Sequence, residues 1–137
     1  MPILVKILAQ SSDKLSGGIT TLDSKEIAGL CARIADDKKA EDILIFDVKN
    51  LTSIADFFVI CSGLNKRQLQ SIADEIELQL HSYGIHWVGT EGYSDARWIL
   101  MDYGDVIVHL FDKDMRHFYD LEFLWGDARK VPWKANT

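Results

Sequence analysis

The densest group of residues able to do chemistry is Asp102-Tyr103-Gly104-Asp105, with His109 shortly after it. Two carboxylates beside an imidazole are the raw material of a metal site or an acid/base pair. No third ligand accompanies them, and aspartates flanking a glycine turn are common where they bond only to backbone. Asp102 and Asp105 are therefore read as turn and interface residues. A histidine alone in an apolar strand more often orients a neighbour than catalyses, so His109 is expected to hydrogen-bond to Asp102 or Asp105. Phosphoryl transfer is the next chemistry to weigh, because Ser62-Gly63 follows an apolar run and Asp74, Glu75 and Glu77 follow in turn. Such chemistry needs carboxylates that converge on cations. On a helix Glu75 and Glu77 diverge by about 200°. Asp112 and Asp114 stand where a helix start explains them, and no lysine–glycine phosphate cradle is present. Cys31 and Cys61 show neither CxxC nor a Cys/His metal spacing and sit in apolar patterns, as small core residues of a reducing compartment do. No catalytic residue, metal or cofactor is assigned.

The elements that must carry these residues read clearly. Asp23 and Glu26 stand at capping-box spacing, and Ile27, Leu30, Cys31, Ile34 and Ala35 follow on one helical stripe. Ile43 to Val48 and Phe57 to Cys61 are β-branched and aromatic runs, hence strands. Leu69, Ile72, Ala73, Ile76, Leu80 and Tyr83 trace a second helix, stopped by Gly84. Ile85 to Val88 is expected to be a third strand. Arg97 to Asp102 and Asp105 to Phe111 form a hairpin about Tyr103-Gly104; tyrosine resists positive φ, which favours a glycine bulge. Met115, Phe118, Leu121 and Trp125 suit one final helix. The expected architecture is a single α/β domain over residues 21–127, with a mixed β-sheet flanked by helices. A flexible arm (residues 1–20) precedes it and a tail (residues 128–137) follows.

Composition narrows the function. With 47% hydrophobic and 26% charged residues the chain is ordinary globular material. Its net charge of −6 argues against a phosphate-gripping protein. From Glu91 to Asp127 there are nine acidic against three basic side chains, so the acidity is concentrated there. On charge alone this reads first as a solvated acidic face that keeps the protein soluble; such a surface would also attract a basic partner. The apolar run Ile3–Ala9 is too short for a bilayer and lacks the form of a signal peptide, so the chain is read as cytoplasmic.

Several blocks then resemble one family in order and spacing. They are Asp47-Val48, Ala55 to Gly63, Ser71 to Asp74, Glu91-Gly92, Trp98 to His109, and Phe118 to Trp125. Across residues 40–127 they resemble the Iojap, or ribosomal silencing factor, family. The resemblance implies a nucleotidyltransferase-like fold without nucleotide transfer, and no cofactor. It further implies attachment to the large ribosomal subunit through large-subunit ribosomal protein number fourteen, which blocks small-subunit joining. It also implies a homodimer when free of the ribosome. The chain departs from the pattern at Leu64-Asn65-Lys66-Arg67-Gln68, where Gln68 stands in place of the usual histidine.

Under this resemblance the hairpin is the expected partner-binding element. Trp98 and Tyr103 would supply apolar contact and Glu91, Asp102 and Asp105 complementary charge, with His109 in support. Truncation of Trp98 is then expected to weaken binding by about 2 kcal/mol and leave the fold intact. Against this stands plain packing, with Trp98 against the final helix and Tyr103 at the turn. Alternatives of other classes are a dimeric adaptor acting away from ribosomes and a metal-dependent nucleotidyltransferase.

Overall fold

A computed structural model describes residues 22–134, so the expected flexible arm lies outside the described residues. In chain order the elements are α1 (Ser24–Asp37), β1 (Glu41–Asp47), β2 (Phe57–Gly63), α2 (Lys66–Ser82), β3 (Gly89–Glu91), β4 (Trp98–Asp102), β5 (Val106–Asp112), α3 (Lys113–Tyr119), α4 (Leu121–Leu124) and β6 (Arg129–Lys130). They build one six-stranded sheet in the order β3-β4-β5-β2-β1-β6. Only β2 and β5 run parallel; the other neighbours are antiparallel. A parallel pair needs a long crossover, here supplied by α2 with β3 and β4. The expected α/β domain with a mixed sheet and flanking helices is what forms.

Burial explains the strand sequences. Every residue of β2 is buried, because helices lie over both faces of the central strands, and a strand covered on both faces is a continuous apolar run. On one face α1 and α2 bury Cys31, Ile34, Leu69, Ile72, Ile76 and Leu80 against Ile45, Val59, Ile99, Val108 and Leu110. On the other, Phe46, Phe58, Ile60, Leu100, Ile107 and Phe111 meet Leu121, with Met115, Trp98 and Trp125 half-buried beside them. Helix α1 starts on the expected capping box. The Glu26 backbone N–H donates to Asp23 Oδ1 at 2.8 Å and the Asp23 N–H to Glu26 Oε1 at 3.0 Å. Both cysteines are fully buried and unpaired.

Four details differ from the sequence expectations. Ile85–Val88 is not a strand: Ile85 and Trp87 pack on the core as a linker, and pairing begins at Gly89. The single final helix is two, broken at Asp120, whose φ of 47° is left-handed. The tail closes the sheet. Its Arg129 and Lys130 pair with Asp47 and Phe46, and Trp133 Nε1 donates to the Ile43 carbonyl at 3.2 Å. Finally, the hairpin has a tight turn instead of a bulge. The Tyr103 N–H donates to the Val106 carbonyl at 2.9 Å, so Gly104 and Asp105 are the central residues and only glycine, at φ 88°, takes the positive angle. Shifting the turn by one residue spares Tyr103 that strain.

Candidate functional site

The strand alternation of the hairpin decides which side chains can act together. Register pairs Trp98 with Phe111, Leu100 with His109, and Asp102 with Ile107. Directly opposite residues share a face, so Trp98, His109 and Phe111 lie together on the side away from α1 and α2. There the Trp98 ring stacks on Phe111 with centroids 5.0 Å apart and leans on Tyr119 of α3 at 4.6 Å. Its indole Nε1–H donates to His109 Nδ1 at 3.1 Å. His109 therefore orients a neighbour as expected, but the neighbour is Trp98, not an aspartate. The diagonal position across the strand pair puts the indole within reach. Since Nδ1 accepts, the imidazole is neutral with its proton on Nε2. Burial holds its pKa down to about 3.

The aromatic rings continue outward from this pair. Phe58 meets His109 and Trp125 edge-on, each at 5.2 Å, and Phe118 meets Tyr119 edge-on at 5.1 Å. Phe118 stands in solvent at 76% exposure, and on the next helix Phe123 and Leu124 are 84% and 67% exposed. Scattered exposed apolar residues are ordinary, but here three large ones are concentrated on two adjoining short helices, Phe118 being joined through Tyr119 to Trp98. Acidic side chains accompany them. Glu91 stands opposite Leu100 and so shares the aromatic face. Asp114 and Glu122 lie on the same two short helices, with Asp120 at the junction between them.

These helices are anchored from beneath. Arg116 is buried, donating to Ser62 Oγ at 2.8 Å and to Glu122 Oε1 at 3.0 Å. Asp112 caps α3 through the Met115 N–H at 2.7 Å. Thus Ser62, considered above for phosphate binding, instead receives a guanidinium that ties α3 and α4 to β2.

The expected binding residues do not all meet. Trp98, His109 and Glu91 share the aromatic face. Tyr103 packs on the helix-covered core instead; its buried hydroxyl has no hydrogen-bond partner among the described residues, and burial raises its pKa. Asp102 is fully buried, with Oδ1 accepting from the Gly104 N–H at 2.8 Å, so it holds the turn and offers no surface charge. Asp105 is half-buried, and its carbonyl receives the Asp56 and Phe57 N–H groups at 2.8 and 3.1 Å. Sequence reasoning missed the exposed Phe123 and Leu124 and placed Phe118 on an inward stripe. The signal was present: Met115, Phe118, Tyr119, Leu121, Phe123, Leu124 and Trp125 are too many apolar residues for one helical face.

Comparison with known proteins identifies the family. Residues 21–137 match the family model described as ribosomal silencing factor during starvation. The chain is 48% identical over 107 residues to the ribosomal silencing factor RsfS of Bacillus subtilis, covering 78% of this chain and 91% of that one. A crystal structure from Chromobacterium violaceum superposes with a TM-score of 0.75 at 32% identity, covering 84% of this chain and 95% of its own. One from Bacillus halodurans gives 0.70 at 41% identity, covering 80% and 99%. With the family model matched across all of the described residues, this protein belongs to the ribosomal silencing factor family.

Proposed function

We propose that the chain is a non-catalytic repressor of translation that docks on the large ribosomal subunit and sterically blocks joining of the small subunit. The observation that carries this reading is the set of exposed apolar side chains on α3 and α4, of which Phe118 joins Trp98 through Tyr119, accompanied by acids. Aromatic anchors within a charged rim are the usual composition of a binding hot spot. The acidic surround suits a basic ribosomal protein, and the family resemblance points to large-subunit protein number fourteen. In this reading the free protein is a cytoplasmic homodimer. Glu91 supplies rim charge, Trp98 forms the inner wall of the patch, and His109 holds the indole in place. Tyr103 and Asp102 support the hairpin from inside.

The test is co-sedimentation of the purified protein with separated large and small subunits, followed by a subunit-joining assay with excess protein. Selective sedimentation with the large subunit and fewer joined particles is the expected outcome. Phe123→Ala, at a solvent-exposed position, should fold normally and weaken binding by about 2 kcal/mol, roughly thirtyfold. Full-affinity binding by Phe123→Ala together with Phe118→Ala would remove the patch from the mechanism.

A further inference from the structure

At the end of α2, against the opposite sheet face from the aromatic side chains, His81 of the helix and His86 of the following linker are held together by the way the helix ends. Gly84 takes φ 78°, and the Ile85 N–H returns to the Leu80 carbonyl at 2.9 Å. This reversal folds the following linker back along the last helical turn. Trp87 Nε1 then donates to Glu77 Oε2 at 2.6 Å, pinning the linker one turn before His81. The result brings His81 Nδ1 and His86 Nδ1 to 3.1 Å, with ring centroids 4.6 Å apart. Both rings are exposed, and they line an open groove with Asp74, Glu77 and Trp87.

That nitrogen spacing has a specific chemical meaning. Imidazole nitrogens bind zinc at about 2.0–2.1 Å, so two cis ligands are separated by about 2.9 Å at a right angle and about 3.3 Å at the tetrahedral angle. The His81–His86 separation lies between these values. We propose that His81 and His86 form a two-imidazole site for a divalent first-row transition-metal ion of the zinc, nickel and copper class.

Without metal, one Nδ1 carries the proton that the other accepts. On binding, that proton moves through solvent to Nε2 of its own ring. Two nitrogen–metal dative bonds form as two waters leave the ion, and the relocated proton stays on its ring. Among the described residues no group of three or more His, Cys, Asp or Glu is arranged to hold a metal ion, so water keeps the remaining positions. Carboxylates of Glu77 and Asp74 in the same groove favour a cation nearby. Magnesium, which prefers oxygen ligands, is excluded by the nitrogen donors.

The experiment is calorimetric titration of the untagged full chain with Ni²⁺, Zn²⁺ and Mg²⁺ in a non-chelating buffer, with histidine proton resonances followed during Ni²⁺ addition. One equivalent of Ni²⁺ or Zn²⁺ should bind, Mg²⁺ should not, and His81 and His86 resonances should broaden before those of the exposed His117. Because both rings are exposed, His81→Gln and His86→Gln should fold normally and each bind about tenfold or more weakly. His117→Gln should bind like the wild type. Equal binding by the wild type and the His81→Gln/His86→Gln double variant would overturn the site, as would broadening of His117 alongside the pair.

Discussion

At the scale of single residues, Trp98 and His109 show how one hydrogen bond can serve both fold and surface. The indole is half-buried, stacked on Phe111 and bonded to His109. Replacing it with alanine therefore costs stability as well as contact area, unlike the clean truncation that the sequence suggests. The neutral state of His109 also leaves a signature. Its folded pKa lies near 3, against an ordinary value of 6.5, because burial disfavours the charged ring. The unfolded chain therefore takes up the proton first, and stability falls as pH drops from about 6.5 toward 3. In denaturant titrations over that window, His109→Phe should lose less stability on acidification than the wild type does. Parallel curves would show that His109 does not contribute to the acid lability.

At the scale of elements, the break between α3 and α4 creates the exposed patch. A continuous helix would carry Phe118, Phe123 and Leu124 around its circumference, whereas the turn at Asp120 presents them on adjoining short helices. Asp120 serves twice, ending α3 with left-handed φ and accepting from the Phe123 N–H at 3.3 Å to start α4. Aspartate tolerates that conformation better than most residues do. Asp120→Ala combines backbone strain with a lost cap and should destabilise by about 1–2 kcal/mol. Asp120→Gly loses the same cap without the strain and should cost clearly less, as thermal or urea unfolding would reveal. Equal losses would mean that the left-handed turn stores no strain. Arg116 then secures the rearranged segment, its guanidinium joining Ser62 of β2 to Glu122 of α4.

For the whole molecule, the two sheet faces divide the work. One is closed by α1 and α2 into the main core; the other is only partly covered and ends in exposed aromatics. The outermost strands, β3 and β6, are three and two residues long, which limits strand-to-strand addition at either edge. Recognition in our reading therefore uses side chains on a face, not backbone at an edge. In our reading the exposed acids between Glu91 and Asp127, the buried Asp102 aside, supply a long-range attraction toward a basic partner. Association with large subunits should slow by roughly tenfold between low and high monovalent salt at constant magnesium, because exposed charge is screened. A stopped-flow rate unchanged by salt would refute electrostatic steering.

Local patterns alone carried much of this protein. The Asp23–Glu26 box, both long helices and four strands are repeats of short-range chemistry, so they are legible residue by residue, whereas the register that sets Trp98 beside His109 and Phe111 came from the fold. The family was legible too, because its blocks combine unusual aromatic and acidic residues in a fixed order. Tertiary structure decided what depends on distant neighbours. It turned Tyr103 into the helix-covered core and buried Asp102 beneath its turn. It also gave His109 an indole partner eleven residues away and drew the C-terminal segment into the sheet. The exposure of Phe123 and Leu124 was decided there as well. Hydrophobicity specifies that a side chain favours burial, but only the packed fold determines whether any interior is left to receive it.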